Sequence, residues 1–458
     1  MNLEEFLSKI PEIHEFLTVE EMDAHTLALE KQYPHLVSVK IIGESRKHHP
    51  LYCLKIGSGH KIALMYGCPH PNEPIGCMML EHFSRMLCEN EAFLEQLDTT
   101  FYLIKAIDPD GLKLNEGWLK GPFTYANYAS HFFRPNTTAQ VEWTFPIKYK
   151  TYEFHEPILE TQAIMKLMEE LRPDFVYSLH NASFGGVYWY VSHDRKDIID
   201  QLPNAAKRCS LPLNLGEPEC AFSKTFAPAV YEYLRSTQYY DYYEANLEKD
   251  PKTYMVGGGS SLDYMRTISP DAFVMMCEEP YFYCPDSNDL TLCENLTRKQ
   301  CIEKGFALRK QIKSELIRQY EKLKPYADST TMYMQALAMY ADPNDDEEKA
   351  QLAQMDAHPK EFDVPASKAS RFDGFVSSMW YPLLGFGMLM GAAKEVKAQT
   401  TDASIHRKMD QLIVECDAFV EKQCASIEVP CQPIAIRKLV SVQMESACIV
   451  LKQLKSKE

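Results

Sequence analysis

Ile62-Ala-Leu-Met-Tyr-Gly-Cys-Pro-His-Pro-Asn-Glu-Pro-Ile-Gly76 decides how this chain is read. The apolar run Ile62 to Tyr66 has the length of a buried strand, and Gly67 and Pro69 break it. Pro74 opens a helix, where its missing N–H is tolerated because first-turn amides have no intrahelical acceptor. His70 and Glu73 therefore fall in the turn at the carboxyl end of a strand, where open α/β sheets hold their ligands. An imidazole and a carboxylate three residues apart in such a turn can converge on one cation, and mixed N/O ligation suits zinc.

Spacing alone is weak evidence. A chain with 14 His and abundant Glu shows a His-x-x-Glu about once by chance, and this one shows a second, His358 to Glu361. That copy lies in a polar, Pro-containing stretch with no strand before it and reads as a surface loop. Context separates the two, so the argument moves outward from the first.

The chain has 458 residues, long enough for a large core and more than one structural unit. Its 48 Lys+Arg against 64 Asp+Glu leave a net charge of -16, which opposes nonspecific nucleic-acid binding. No nucleic-acid partner is expected. The 45% hydrophobic and 24% charged fractions are those of a globular protein. No apolar run reads as a membrane span, so no membrane partner is expected. Met1-Asn-Leu-Glu-Glu-Phe-Leu7 lacks the basic and apolar regions of a secretory signal, and the expectation is a cytoplasmic protein. Fourteen cysteines without a Cys-x-x-Cys pair read as small buried hydrophobes in a reducing compartment.

Along the chain, Thr18-Val-Glu-Glu21 is a capping box for a helix to about Tyr33. Leu36–Ile42 and Leu51–Ile56 read as a hairpin, with His48 and His49 as solvated loop residues. A helix from Pro74 to about Leu87 follows the organising turn. The strand Phe101–Ile104 then ends in Asp108-Pro-Asp-Gly111. Residues 112 to 157 show little periodicity and many aromatics, as a long functional loop region does. The rhythm resumes with a helix over Ile158–Leu171, the strand Phe175–Leu179, His180 directly after it, and the strand Val187–Val191. Gly257-Gly-Gly-Ser-Ser261 reads as a flexible loop, and the strand Phe273–Cys277 ends at Glu278-Glu-Pro280. A long helix spans Asn295 to Lys324, and beyond Pro325 strands disappear. Helical periodicity is clearest over Phe372–Val396, Ile405–Phe419 and Ile434–Leu454. The expected division is 1–325, α/β, and 326–458, all-helical.

A catalytic zinc site takes three protein ligands and leaves a position open. His70, Glu73 and His180 supply that set, each at the carboxyl end of a predicted strand. A further carboxylate must move a proton between water and the leaving nitrogen. Glu278 and Glu279 both qualify, and Glu279 reads better as a solvated strand end. A substrate-contacting tyrosine could come from the Gly-rich loop, which begins at Tyr254.

At this point the chain resembles the zinc metallocarboxypeptidase family over roughly residues 16 to 290. The resemblance rests on ordered motifs: Phe16-Leu-Thr-Val-Glu-Glu21 with Tyr33-Pro-His-Leu-Val37, Ile42-Gly-Glu-Ser45, and His70-Pro-Asn-Glu73 with Pro74-Ile-Gly76. It continues with Asp108-Pro-Asp-Gly111, Ser178-Leu-His180, Gly258-Gly-Ser-Ser-Leu-Asp263 and the strand before Glu278. It implies a mixed central sheet flanked by helices and one zinc per chain held by His70, Glu73 and His180. It also implies Glu278 as general base and acid, Arg134 polarising the scissile carbonyl, and Tyr254 as a mobile substrate contact. One departure stands out. The family's Val-Asp-x-Asn-Arg-Asn-Phe/Trp segment, whose arginine grips the substrate's terminal carboxylate, reads here Val141-Glu-Trp-Thr-Phe-Pro146. A bidentate guanidinium is the strongest carboxylate anchor a side chain offers; His131, Lys148 and Arg266 are the candidate replacements.

The expectation is a zinc-dependent hydrolase that cleaves an amide bond in a small peptide or modified amino acid, with water activated by zinc and Glu278. The alternatives are an N-acyl amino acid deacylase of the aspartoacylase or succinylglutamate desuccinylase kind, and a noncatalytic binding protein on the same fold.

Overall fold

In the computed structural model, which describes residues 2–427 and 431–454, strict alternation in three central strands fixes what lies on each side of a sheet. The nine strands, in chain order, are β1 (Val37–Glu44), β2 (Pro50–Ile56), β3 (Lys61–Gly67), β4 (Thr99–Ile104), β5 (Phe175–Leu179), β6 (Tyr188–Val191), β7 (Thr225–Ala227), β8 (Val230–Glu232) and β9 (Phe273–Glu278). They lie side by side as β1-β2-β4-β3-β5-β9-β6-β8-β7. The centre, β4-β3-β5-β9, is parallel. The β1-β2 hairpin and the β9-β6 pair are antiparallel. This is the mixed sheet expected.

Ala63, Met65, Phe175, Tyr177, Leu179, Phe273, Met275 and Cys277 share one buried face. Leu64, Tyr66, Val176, Val274 and Met276 share the other. Helices cover both, as a sheet buried on two sides requires. On the first face lies α1 (Ile75–Glu89), with α7 (Ile436–Gln453) packed against it. On the second lies α2 (Leu159–Leu171). Further helices include Val19–Gln32 near the amino terminus and, later in the chain, α3 (Arg298–Leu323), α4 (Asp346–Ala357), α5 (Ser378–Gln399) and α6 (Ala403–Ala425). The apolar helix α5 packs on both α3 and α6.

Several expectations change in three dimensions. Residues 112–157 hold two short helices, Pro109–Leu119 and Tyr125–Ser130, and the hairpin Ile147–Tyr149/Tyr152–Phe154, all too short to show a period. The segment Lys368–Gln399 is long and apolar enough to cross a membrane, contrary to the reading above, and 72% of its most apolar stretch is buried inside the protein. Cys284 pairs with Cys431 in a disulfide, while the other twelve cysteines are free. His49 is half-buried and bonded to Asp23 rather than solvated. His358 joins two helices at the surface and Glu361 lies in the second of them, Pro359–Phe362, facing Arg298.

The glycines around the organising turn set how closely its parts approach. A Cβ on Gly76, in the first turn of α1, would lie 2.4 Å from the Leu179 Cβ on β5, and one on Gly111 would lie 2.6 Å from the Pro71 ring. Asp108 caps the helix carrying Gly111, accepting from the Gly111 N–H at 3.0 Å. Its carboxyl is fully buried, with one oxygen lacking any partner. Burial therefore raises its pKa from 3.8 to about 6; Arg46 opposes the shift and Glu160 adds to it.

Two outcomes follow for stability. Gly76→Ala is expected to cost about 2 kcal/mol in urea unfolding, the usual scale for overpacking a filled contact. Because the folded state holds a proton on Asp108 that the unfolded state has released, stability falls as pH rises from about 4 through 6. Asp108→Asn is expected to remove about 3 kcal/mol of that decline, measured as the difference between wild-type and variant unfolding free energies at pH 4 and pH 7.

Candidate metal centre

β3 ends at Gly67, and Cys68 takes a left-handed conformation at φ 60°, which turns His70 and Glu73 back over the carboxyl ends of the strands. The turn is held from several sides. The Tyr281 hydroxyl donates to the Asn72 carbonyl at 2.7 Å, and the Asn72 amide donates to the Tyr128 hydroxyl at 3.1 Å. β5 delivers His180 alongside, and the Gln443 amide of α7 donates to the His180 carbonyl at 2.8 Å.

His70, Glu73 and His180 come together with their ligand atoms all within 4.8 Å of one another. They are 4%, 3% and 1% exposed. The proton inventory shows that this cluster suits a cation. His180 Nε2 lies 2.8 Å from Ser178 Oγ, and that hydroxyl donates to Glu142 at 3.1 Å. With Nε2 turned to Ser178, Nδ1 is the ring nitrogen left toward Glu73, 3.0 Å from its Oε2. The Nδ1 of His70 is also buried and without a partner. Burial first, then Arg134 and His180, hold the His70 pKa well below its ordinary value, which favours its neutral form. Two imidazoles and a carboxylate are a fitting donor set for zinc.

Around this set lies a cavity of 270 Å³. Glu278 reaches it from the end of β9, with Oε1 3.8 Å from His180 Nδ1. Burial, then Glu73 and Glu219, push its pKa well above the usual carboxyl range. Glu279 points away from the cavity. It is 0% exposed with neither carboxyl oxygen hydrogen-bonded, so it is not a solvated strand end. Arg134 lines the cavity, with Nη1 3.0 Å from Glu73 Oε1 and Nε donating to Gln140 at 3.1 Å. Burial disfavours its charge, but Glu73 holds its pKa above the ordinary value.

Tyr254 is not among the cavity's lining residues. Its hydroxyl accepts from the Lys249 N–H and its ring packs 5.6 Å from Tyr243. The Gly-rich segment after it is pinned: Gly258 and Gly259 donate to the carbonyls of Trp143 and Phe145 at 2.6 and 2.7 Å. A Cβ on Gly258 would sit 2.3 Å from the Phe145 oxygen, so the glycines serve close approach rather than looseness. The tyrosines that do line the cavity are Tyr239, Tyr340 and Tyr381. Tyr340 and Tyr381 belong to the helical region, whose place periodicity alone could not assign.

None of the three candidate replacement cations lines the cavity. His131 is bonded to the Asn127 carbonyl, Lys148 pairs with Glu153 on the outer hairpin, and Arg266 sits in a helix beside Arg235 and Asp263. Phe145, at the position of the absent arginine, is buried core. Glu142, two residues after Gln140 in the same segment, went unnoticed in the sequence. It is 1% exposed and accepts from Tyr66, Ser178, Tyr233 and both the N–H and hydroxyl of Ser261. Only the Ser178-Leu-His180 motif could have hinted at it, and its partners are scattered from 66 to 261.

The family model described as zinc carboxypeptidase matches residues 22–290. This chain belongs to the zinc carboxypeptidase family. Membership makes it a hydrolase of the metallopeptidase type, from a zinc-dependent family, with a His-Glu-His group that can hold the metal. Among solved structures it is similar to carboxypeptidase A from Helicoverpa armigera, at 15% identity over 61% of this chain and 69% of that one, TM-score 0.39. Similar likenesses link it to a metallo-carboxypeptidase from Burkholderia cenocepacia, at 14% identity over 58% and 60%, TM-score 0.32, and to bovine thrombin-activatable fibrinolysis inhibitor, at 13% over 57% and 86%, TM-score 0.34. No curated protein matches the chain. The family match carries the assignment.

His180→Ala is expected to abolish zinc binding. Ser178→Ala is expected to weaken it by about 10- to 100-fold through loss of ligand orientation. Competition with a chromophoric chelator measures both, and His358→Ala, in the surface copy of the motif, is expected to bind as wild type does.

Proposed function

We propose that this member of the zinc carboxypeptidase family hydrolyses an amide bond in a small peptide or modified amino acid, with one zinc per chain held by His70, Glu73 and His180. The observation that carries this reading is the convergence of His70, Glu73 and His180, their ligand atoms within 4.8 Å of one another, beside an unpartnered His70 nitrogen. When bound, zinc supplies Lewis acidity toward a carbonyl and lowers the pKa of water. The rest falls to side chains. Glu278, at the cavity wall with a carboxyl poised to hold a proton, accepts one from the attacking water and returns it to the leaving nitrogen. Arg134 keeps a guanidinium beside Glu73 and turned to the cavity, where it stabilises negative charge developing on the carbonyl oxygen. Tyr340, Tyr381 and Leu384, from the helical C-terminal region, supply one wall of the cavity.

The test is Glu278→Gln. It is expected to lower kcat by about 10²- to 10⁴-fold while the bound zinc content stays that of wild type. Unchanged turnover, or ligand binding indifferent to zinc removal, would instead support a binding protein on this fold.

A further inference from the structure

The metal cavity shares part of its wall with a second one. Ala182, Ser183, Glu219 and Tyr381 line both it and an outer cavity of 180 Å³, to which α3, α4 and α5 contribute. Tyr381, near the start of α5, is 51% exposed, and its hydroxyl has no hydrogen bond among the described residues. Its ring is left to touch whatever passes from one cavity to the other.

The outer cavity carries charges, but they are spent within its wall. Arg298 holds Glu217 through bonds of 2.6 to 2.9 Å. Asp373 accepts from the Glu217 N–H at 2.7 Å and from the Ser377 hydroxyl at 3.2 Å, and burial pushes its pKa up to about 7. Glu219 accepts from the Tyr188 and Tyr190 hydroxyls at 2.7 and 3.2 Å. The Arg309 guanidinium lies over the Phe306 ring, 3.7 Å from Glu348.

The polar groups left uncommitted are neutral amides. Asn214 is 9% exposed, and its side-chain oxygen accepts from the Gly186 N–H at 3.5 Å. Its amide nitrogen is not sealed in and has no acceptor among the described residues. Gln351 of α4 makes no hydrogen bond among them either. Phe184, Ile302, Phe306, Trp380 and Tyr381 supply the apolar wall. Rings with a few convergent amides are the receptor for a neutral aromatic group on a backbone-like chain: ring packs on ring, and a carbonyl satisfies the free donor.

We propose that the two cavities form one cleft, and that its substrate is a peptide whose chain passes Tyr381 and sets a neutral aromatic side chain in the outer cavity, with a carbonyl accepting from Asn214. This rests on the hydrolase reading and narrows its substrate class. Ile302, Phe306, Gln351 and Trp380 all lie beyond the residues that match the family, so the selectivity belongs to the helices this chain adds.

The zinc-loaded full chain is assayed on acetyl-X-Gly-Gly amide and acetyl-Gly-Gly-X amide, with X as Phe, Ala or Glu, so that either chain direction is covered. In one series Phe is expected to exceed both Ala and Glu in kcat/KM by about tenfold or more. Phe306→Leu is expected to cut the Phe-to-Ala ratio by about two- to tenfold. Asn214→Ala is expected to lower kcat/KM for the Phe peptide by about two- to tenfold, and its place on a different segment keeps the test open if Phe306→Leu does not fold. Calorimetry of Phe and Ala peptide binding to wild type and both variants runs alongside. Turnover with no preference for Phe in either series, a preference for Glu, or a Phe preference that survives both variants would overturn the proposal and leave the hydrolase reading intact. No hydrolysis of any peptide, with the Phe peptide bound more tightly than the Ala peptide by wild type and the gap narrowed in the variants, would overturn the hydrolase reading and keep the outer subsite. No hydrolysis and no difference in binding would overturn both.

Discussion

The His180 Nδ1 and a carboxylate oxygen of Glu73 face each other at 3.0 Å, in a place nearly closed to water. In a low-dielectric interior the carboxylate there needs a positive partner, a proton on the imidazole or a cation held between the two. Much of the surrounding structure keeps the two atoms there. Ser178 and Glu142 orient the imidazole, Arg134 and the Asn181 N–H hold the carboxylate, and Gly76 lets the first turn of α1 reach β5. Buried polar groups arranged this way cost stability.

Glu142 shows how the same segment can serve a different end from the one its family resemblance implies. Where the resemblance implies an arginine, this chain turns Phe145 into the core and uses Glu142 as the hub of five hydrogen bonds, one of them to the Ser178 hydroxyl that bonds His180. Tyrosines and glutamates from other elements line the rest of the cavity. Tyr381 and Glu347 come from the helical region, so the part of the chain outside the family match shapes part of the cavity wall.

What sequence alone could decide was local. A strand that ends abruptly in a proline-rich turn places His70 and Glu73, and another that ends in Ser178-Leu-His180 places the third candidate ligand, because period-2 burial and backbone breakers are written in adjacent residues. The same holds for Glu278, whose side of the strand follows from alternation once Met276 is on one face and Cys277 on the other. What only the tertiary structure decided were the encounters between distant segments. The pinning of Gly258 and Gly259 to Trp143 and Phe145, the distance of Tyr254 from the cavity, the disulfide between Cys284 and Cys431, and the burial of Glu279 all depend on neighbours far away in the chain. So does the cavity wall, to which Glu219 and Glu347 come from segments with no shared period or motif. Periodicity reports which face of a helix is buried, but it carries no information about what lies against that face.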